Sequence, residues 1–77
     1  KLIVALKFRF LHLLSQDDQR AQADILIESQ ETELARLEEL HRSHAGDEGH
    51  LVGWLDHDIG GILAHLDWLH KFRSSLD

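Results

Sequence analysis

Apolar residues recur along the last third of the chain at alternating steps of four and three residues. The series comprises Leu55, Ile59, Ile62, Leu66, Leu69 and Leu76, with Arg73 in its one polar place. This heptad spacing gathers apolar side chains on one face of a helix and indicates a partner helix. The pattern predicts a helix over about 50–75.

A second row of side chains lies beside that seam on the same predicted helix. It comprises Trp54, Gly61, His65, Trp68 and Phe72. The apolar face is therefore wide, and it carries both tryptophans of the chain. Such a face indicates contact with more than one helix.

The middle of the chain predicts a second long helix over about 16–44, because it lacks proline and glycine and is rich in strong helix formers. Ser15 is placed to cap its first turn, and Asp18 stands at the position whose side chain can reach back to the backbone amide of the cap residue. Its own heptad seam comprises Ala23, Ile27, Gln30, Leu34, Leu37, His41 and His44.

The segment 45–49 separates the two long helices. Gly46 suits the left-handed position after a helix, and Asp47 and Glu48 suit the first turn of the next one. Two helices of similar length joined by a short polar turn predict an antiparallel hairpin.

The first 14 residues are apolar on nearly every side and predict a short entry helix. The alternation from Leu6 to Phe10 also fits a strand, but no second strand candidate exists to pair with it. The run is shorter than the ~20 residues of a membrane-spanning helix and lacks a small-residue cleavage site. We therefore expect an all-α, soluble, cytoplasmic protein with no membrane contact: an entry helix and a long antiparallel hairpin, assembling as a dimer.

Size and charge restrict the function. A chain of 77 residues buries only about 60% of its unfolded surface, so it is marginal alone and favours oligomerisation. It has no cysteine, which excludes disulfides and cysteine zinc sites. Its net charge of −6 argues against direct contact with nucleic acid phosphates.

Seven histidines raise the alternative of a metal-binding helical bundle. Glu38-x-x-His41 copies a carboxylate–histidine pair of di-metal bundles, with His44 three residues further on and His70 on the last helix. His41 and His70 lie at opposite ends of the predicted hairpin, so they can share a metal only between two chains. The preferred interpretation contains no metal and no cofactor.

No pattern of residues indicates catalysis. His57 lies between two aspartates, but adjacent helical residues point in different directions. Neither a nucleophile elbow nor a phosphate-binding loop is present, so we predict that the protein is not an enzyme. Gly60 and Gly61 in mid-helix favour close packing of a neighbouring helix, with a kink or a ligand gap as alternatives. The candidate ligand-binding residues are Trp54, Gly61, His65 and Trp68.

Three segments together resemble the C-terminal, virulence-activator-type helical domain of PadR-family transcriptional regulators. They are the entry segment Lys7-Phe8-Arg9-Phe10-Leu11, the charged helix with Leu34, Leu37 and Leu40, and the segment Ala64-His65-Leu66-Asp67-Trp68-Leu69. The resemblance covers essentially all 77 residues, and its motifs are weak when taken singly.

The resemblance implies a single dimerisation and effector domain over 1–77, in a regulator whose N-terminal winged helix-turn-helix is absent from this chain. DNA would be contacted only through that missing domain, and a small aromatic effector is an expected ligand. The predicted homodimer interface comprises Leu6, Phe10, Leu14, Leu55, Ile59, Ile62, Leu66, Trp68, Leu69 and Phe72. A plain protein-binding adaptor hairpin is the third interpretation.

Overall fold

The computed structural model describes the backbone of residues 2–77 and the side chains of residues 5–77, and within these ranges it contains three helices and no strand. Helix α1 spans Leu2–Leu11, α2 spans Gln16–Ser43 and α3 spans Leu51–Ser75. The all-α prediction is confirmed. Of the predicted apolar entry helix, the side chains of residues 1–4 lie outside the described range.

Helix α1 ends three residues earlier than the apolar run predicted. Tight turns close its end, with the Leu13 amide donating to the Phe10 carbonyl at 3.0 Å and the Leu14 amide to the Leu11 carbonyl at 3.1 Å. The chain must leave the helix here because Ser15 adopts an extended backbone as the cap of α2. The spacing of the apolar residues does not show where the chain leaves α1 to form the cap of α2.

The predicted cap of α2 is confirmed. The Ser15 hydroxyl accepts a hydrogen bond from the Asp18 amide at 3.2 Å, and Asp17 and Asp18 lie at the positive end of the helix dipole. At the other end, the His44 amide donates to the Leu40 carbonyl at 3.1 Å.

The turn between the long helices differs from its prediction. Gly49, and not Gly46, has the positive φ, at 100°. Helix α3 begins at Leu51 and has no acidic residue in its first turn, so Asp47 and Glu48 belong to the turn itself. The Asp47 amide donates to the His44 carbonyl at 2.9 Å, so Gly46 lies inside a tight turn and does not take the predicted left-handed position.

Three polar contacts show that α2 and α3 form the predicted antiparallel hairpin. At the open end, Arg20 donates to the Leu76 carbonyl at 2.9 Å, and Arg73 Nε lies 2.9 Å from Asp24 Oδ1. Near the turn, His41 Nε2 lies 2.8 Å from Asp56 Oδ1. These contacts join the start of one helix to the end of the other.

The core of the hairpin comes from both predicted heptad seams. Its buried cluster comprises Ile27, Leu37, Leu55, Ile62, Leu66 and Leu69, and partly buried apolar side chains pack around it: Phe8, Leu26, Leu34, Leu40 and Ile59. Ala23 is fully buried. Among the described helices, none is long and apolar enough to cross a membrane.

Candidate protein interaction surface

The predicted interface residues on α3 divide into an inner and an outer group. Leu55, Ile62, Leu66 and Leu69 are buried, and Ile59 is half-buried, all in the core that α3 shares with α2 of the same chain. This seam therefore packs within its own chain, and its part in a contact with a second copy stays a prediction. Its heptad partner is α2, because the hairpin brings the second seam of the same chain directly opposite.

The other predicted interface residues remain accessible. Leu6, Phe10, Leu14 and Trp68 are exposed, and Phe72 is half-buried. On α1, a shallow and largely apolar groove is lined by Leu6, Lys7, Phe10, Leu11, Leu14 and Gln22. Only Leu11 of that helix is buried among the described side chains. Helix α1 thus keeps apolar surface that its own chain leaves uncovered.

Three aromatic rings join α1 to α3. The Phe8 ring meets Trp68 edge-on, with centroids 5.2 Å apart, and meets Phe72 edge-on at 5.4 Å. Trp68 and Phe72 are stacked one helical turn apart, with centroids separated by 5.4 Å. Both edge-on pairs have the favourable aromatic geometry. Phe8 therefore positions α1 beside the C-terminal half of α3.

The four predicted ligand-binding residues share the exposed outer face of α3. Trp54 is 62% exposed and Trp68 is 54% exposed, and Gly61 and His65 are also exposed. A Cβ atom added at Gly60 or Gly61 would meet no heavy atom within 4 Å. The close packing of a neighbouring helix expected at these glycines does not occur within the chain. These four residues do not enclose a cavity in one chain.

Charge distinguishes the outer faces of the long helices. Helix α2 contains eight acidic and three basic residues, whereas α3 contains three acidic and two basic residues. Two of the acids on α3 have partners, since Asp56 pairs with His41 and Asp67 lies 2.9 Å from Lys71 Nζ. The outer face of α3 is thus apolar and close to neutral.

A comparison with known protein families assigns the chain. Residues 1–73 match the model of a family described as "Putative AphA-like transcriptional regulator". The chain belongs to this AphA-like family. A search of curated proteins found no significant match.

Membership of the AphA-like family assigns the chain to transcriptional regulators and not to enzymes. The described residues of this AphA-like domain present an exposed apolar surface on α1 and α3, and Phe8 packs there against Trp68 and Phe72. His57 lies beside Trp54, with ring centroids 5.7 Å apart. It forms no hydrogen-bonded triad with its neighbouring aspartates.

The histidines proposed for metal binding do not converge in the AphA-like domain. His41 pairs with Asp56, and His44 Nδ1 lies 2.7 Å from Asp47 Oδ2. His70 lies on the last turns of α3, at the opposite end of the hairpin. Within the described residues, no three potential ligands come close enough to hold a metal ion.

Two sets of ion pairs at the surface shift pKa values without building a reactive site. The hydrogen bond from Arg36 lowers the pKa of Glu33, and the pKa of Arg36 is raised in turn. Asp77 and Asp24 raise the pKa of Arg73. Both effects arise from ion pairs at the surface, one of which ties the open end of the hairpin together.

Sequence reasoning missed two features of the structure, namely the role of Phe8 and one polar pair between the long helices. Phe8 was absent from the predicted interface, although it anchors α1 on Trp68 and Phe72. Phe8 lies between two charged residues, Lys7 and Arg9, which suggested an exposed position. The presence of two phenylalanines in the entry helix was the feature that could have indicated a contact. The pair between His41 and Asp56 was also missed, because it depends on the register of the hairpin.

Proposed function

We propose that this chain joins two subunits of a PadR-like, DNA-binding transcriptional regulator. DNA contact belongs to a winged helix-turn-helix domain outside this chain, and the two hairpins set the separation of two such domains. The spacing of the paired domains then selects DNA sites with matching half-site spacing. A regulator of this kind works in the cytoplasm, where it meets DNA.

The observation that carries the proposal is the exposed apolar surface of α1 and α3. It includes Leu6 at 47%, Phe10 at 56%, Leu14 at 42%, Trp54 at 62% and Trp68 at 54% exposure. Large aromatic side chains are typical anchors of protein interfaces. The small hairpin gains most from covering this surface, since its own core is limited.

A small aromatic effector is the second part of the proposal. Trp54, Gly61, His65 and Trp68 offer flat rings, an open backbone and a polar imidazole on one face of α3. Ligand sites are normally concave, so a second surface must cover this face before it encloses a ligand. We therefore propose that the effector is held between the two subunits. Its binding would then change how the two subunits are arranged.

Light scattering of this fragment tests the dimer. We expect a mass of about twice 8.9 kDa, both with a chelator and with excess zinc. Assembly only with zinc would favour a metal-linked bundle through His41, His44 and His70. A stable monomer in both conditions would overturn the proposal and leave an adaptor hairpin that binds a different protein.

Tryptophan fluorescence tests the effector. Titration with a small phenol should quench the emission of the dimer, and the variant Trp54→Phe or Trp68→Phe should reduce the quenching. Quenching equal to that of free tryptophan, in every variant, would exclude a specific site on this face.

A further inference from the structure

We infer that α3 packs antiparallel against α3 of a second copy, with the two helices crossing at Gly61. This inference rests on the proposed dimer and specifies its interface. The occupant of the exposed α3 face is therefore a second copy of this chain. The inference follows from four properties of that face, namely its spacing, its open glycines, its charge and its area.

The spacing of the α3 face suits two-fold symmetry. Trp54 and Trp68 each lie seven residues from Gly61, which is about 10.5 Å along a helix. In a two-fold interface, when residue i contacts residue j of the other chain, j also contacts i. An antiparallel pair centred at Gly61 therefore sets Trp54 against the partner subunit's Trp68 twice, once on each side of the axis.

The glycines make this crossing sterically open. Gly60 and Gly61 have no heavy atom within 4 Å of an added Cβ, so each helix presents bare backbone at the crossing point. Glycine permits close approach of another backbone. Helices that cross at the common angle near −50° diverge on both sides of the contact. The tryptophans lie where the gap between the helices widens, and their large rings line that gap, which leaves room for the proposed effector between them.

Charge favours α3 over α2 as the contact between copies. Each chain carries a net charge of −6, so two copies repel each other on average. The acidic excess lies mainly on α2, with eight acidic against three basic residues, whereas α3 has three against two. Contact through α3 keeps the two acidic helices on the outside of the assembly, where water and salt screen them.

The area of a stable dimer requires α1 to share the contact with α3. A tryptophan can bury up to about 250 Å², so the exposed fractions of Trp54 and Trp68 leave roughly 290 Å² per chain. A standard interface buries about 800 Å² per partner. The exposed side chains of α1 supply more, because Phe8 holds α1 beside Trp68. In the antiparallel arrangement, Trp54 of the partner subunit arrives at that same end of α3.

Cysteine crosslinking tests the crossing point, because the natural chain contains no cysteine. A disulfide requires Cα atoms about 4.4–6.8 Å apart, a separation that closely crossing helices reach at their contact. We expect Gly61→Cys to form a covalent dimer under mild oxidation. The matched variant Ser29→Cys, exposed near the middle of α2, should stay uncrosslinked.

A steric variant tests the same point without oxidation. Gly61→Leu places a bulky side chain at the crossing, and Gly53→Leu is its control on the same helix, since neither added Cβ meets a neighbour within 4 Å. Leucine is the better helix former, so both variants should form the helical hairpin, as circular dichroism can verify. The thermal midpoint of Gly61→Leu, unlike that of Gly53→Leu, should no longer rise with protein concentration. Only Gly61→Leu should convert the dimer to a monomer.

The outcomes separate this inference from the proposed function. A wild-type dimer with a Gly61→Cys crosslink and a monomeric Gly61→Leu variant would support both. A wild-type dimer that neither crosslinks at Gly61→Cys nor dissociates in Gly61→Leu would overturn the α3 crossing and leave the dimer proposal standing. A monomeric wild-type chain would overturn both.

Discussion

The two long helices bury matching seams but present very different outer faces. Toward each other, both supply aliphatic side chains to one core, including Ile27 and Leu37 from α2 and Leu55 and Leu66 from α3. Toward the outside, α2 carries a dense set of charges, whereas α3 carries Trp54, two adjacent glycines and Trp68. A solvated face needs charge and gains little from tryptophan, so the comparison favours α3 as the side for the proposed contact with a second copy.

The sharpest way to break the inner seam is Leu66→Asp. Leu66 is 7% exposed in the core, and an unpaired carboxylate there should unfold the hairpin or destabilise it by about 4 kcal/mol or more. Thermal unfolding followed by circular dichroism measures the loss. Leu63→Asp is the matched control, because Leu63 lies on the same helix and is 52% exposed. Equal stability of the two variants would contradict the observed core.

Two matched substitutions, Trp54→Asp on α3 and Ile25→Asp on α2, test whether the two outer faces differ in their part in the dimer. Trp54 is 62% exposed on α3 and Ile25 is 57% exposed on α2, so neither change should unfold the hairpin. An interface anchor typically contributes about 2 kcal/mol or more, and a two-fold dimer carries the change twice, which is roughly a 1,000-fold change in the dimer dissociation constant. Light scattering across a dilution series should show this weakening for Trp54→Asp alone. Equal weakening by both variants would remove the distinction between the faces.

Phe8→Ala tests whether the Phe8 ring holds α1 at the edge of the α3 face. Its ring makes edge-on contacts with Trp68 and Phe72, and their loss should cost about 2 kcal/mol of α1 docking. In a Trp54→Phe background, the emission of Trp68 should shift to the red as its ring becomes wetter. Leu13→Ala, at a position that is 72% exposed, should leave the emission unchanged. An unshifted spectrum for Phe8→Ala would show that α1 is held by other contacts.

The smallest expected effect concerns the charged face of α2. The hydrogen bond from Arg36 lowers the pKa of Glu33 in the folded chain, so this pair contributes stability above the unfolded pKa. That contribution is lost as the pH falls through the folded pKa. An NMR titration should show a lowered Glu33 pKa that returns toward its ordinary value in Arg36→Gln. Dimer mass should be the same for both proteins, because this face is solvated.

Much of the fold could be predicted because its determinants are local and periodic. Ser15 caps α2 through its own neighbours, and the two heptad seams follow from residue spacing alone. The turn was less predictable, since Gly49 rather than Gly46 takes the positive φ. Either glycine can adopt a positive φ. Which of them does so depends on where the chain must turn for α3 to pack against α2.

The amino-acid sequence by itself determined three helices, the apolar seams of the two long ones, and a wide tryptophan-bearing face on α3. Only the tertiary structure decided what each row of that face contacts. The inner row of Leu55, Ile62, Leu66 and Leu69 packs on α2 of the same chain, which leaves Trp54 and most of Trp68 uncovered. Heptad spacing shows that a helix needs a partner, but it does not say which helix that is. The short turn decides it, because it holds α2 beside α3 at a much higher effective concentration than a second chain can reach.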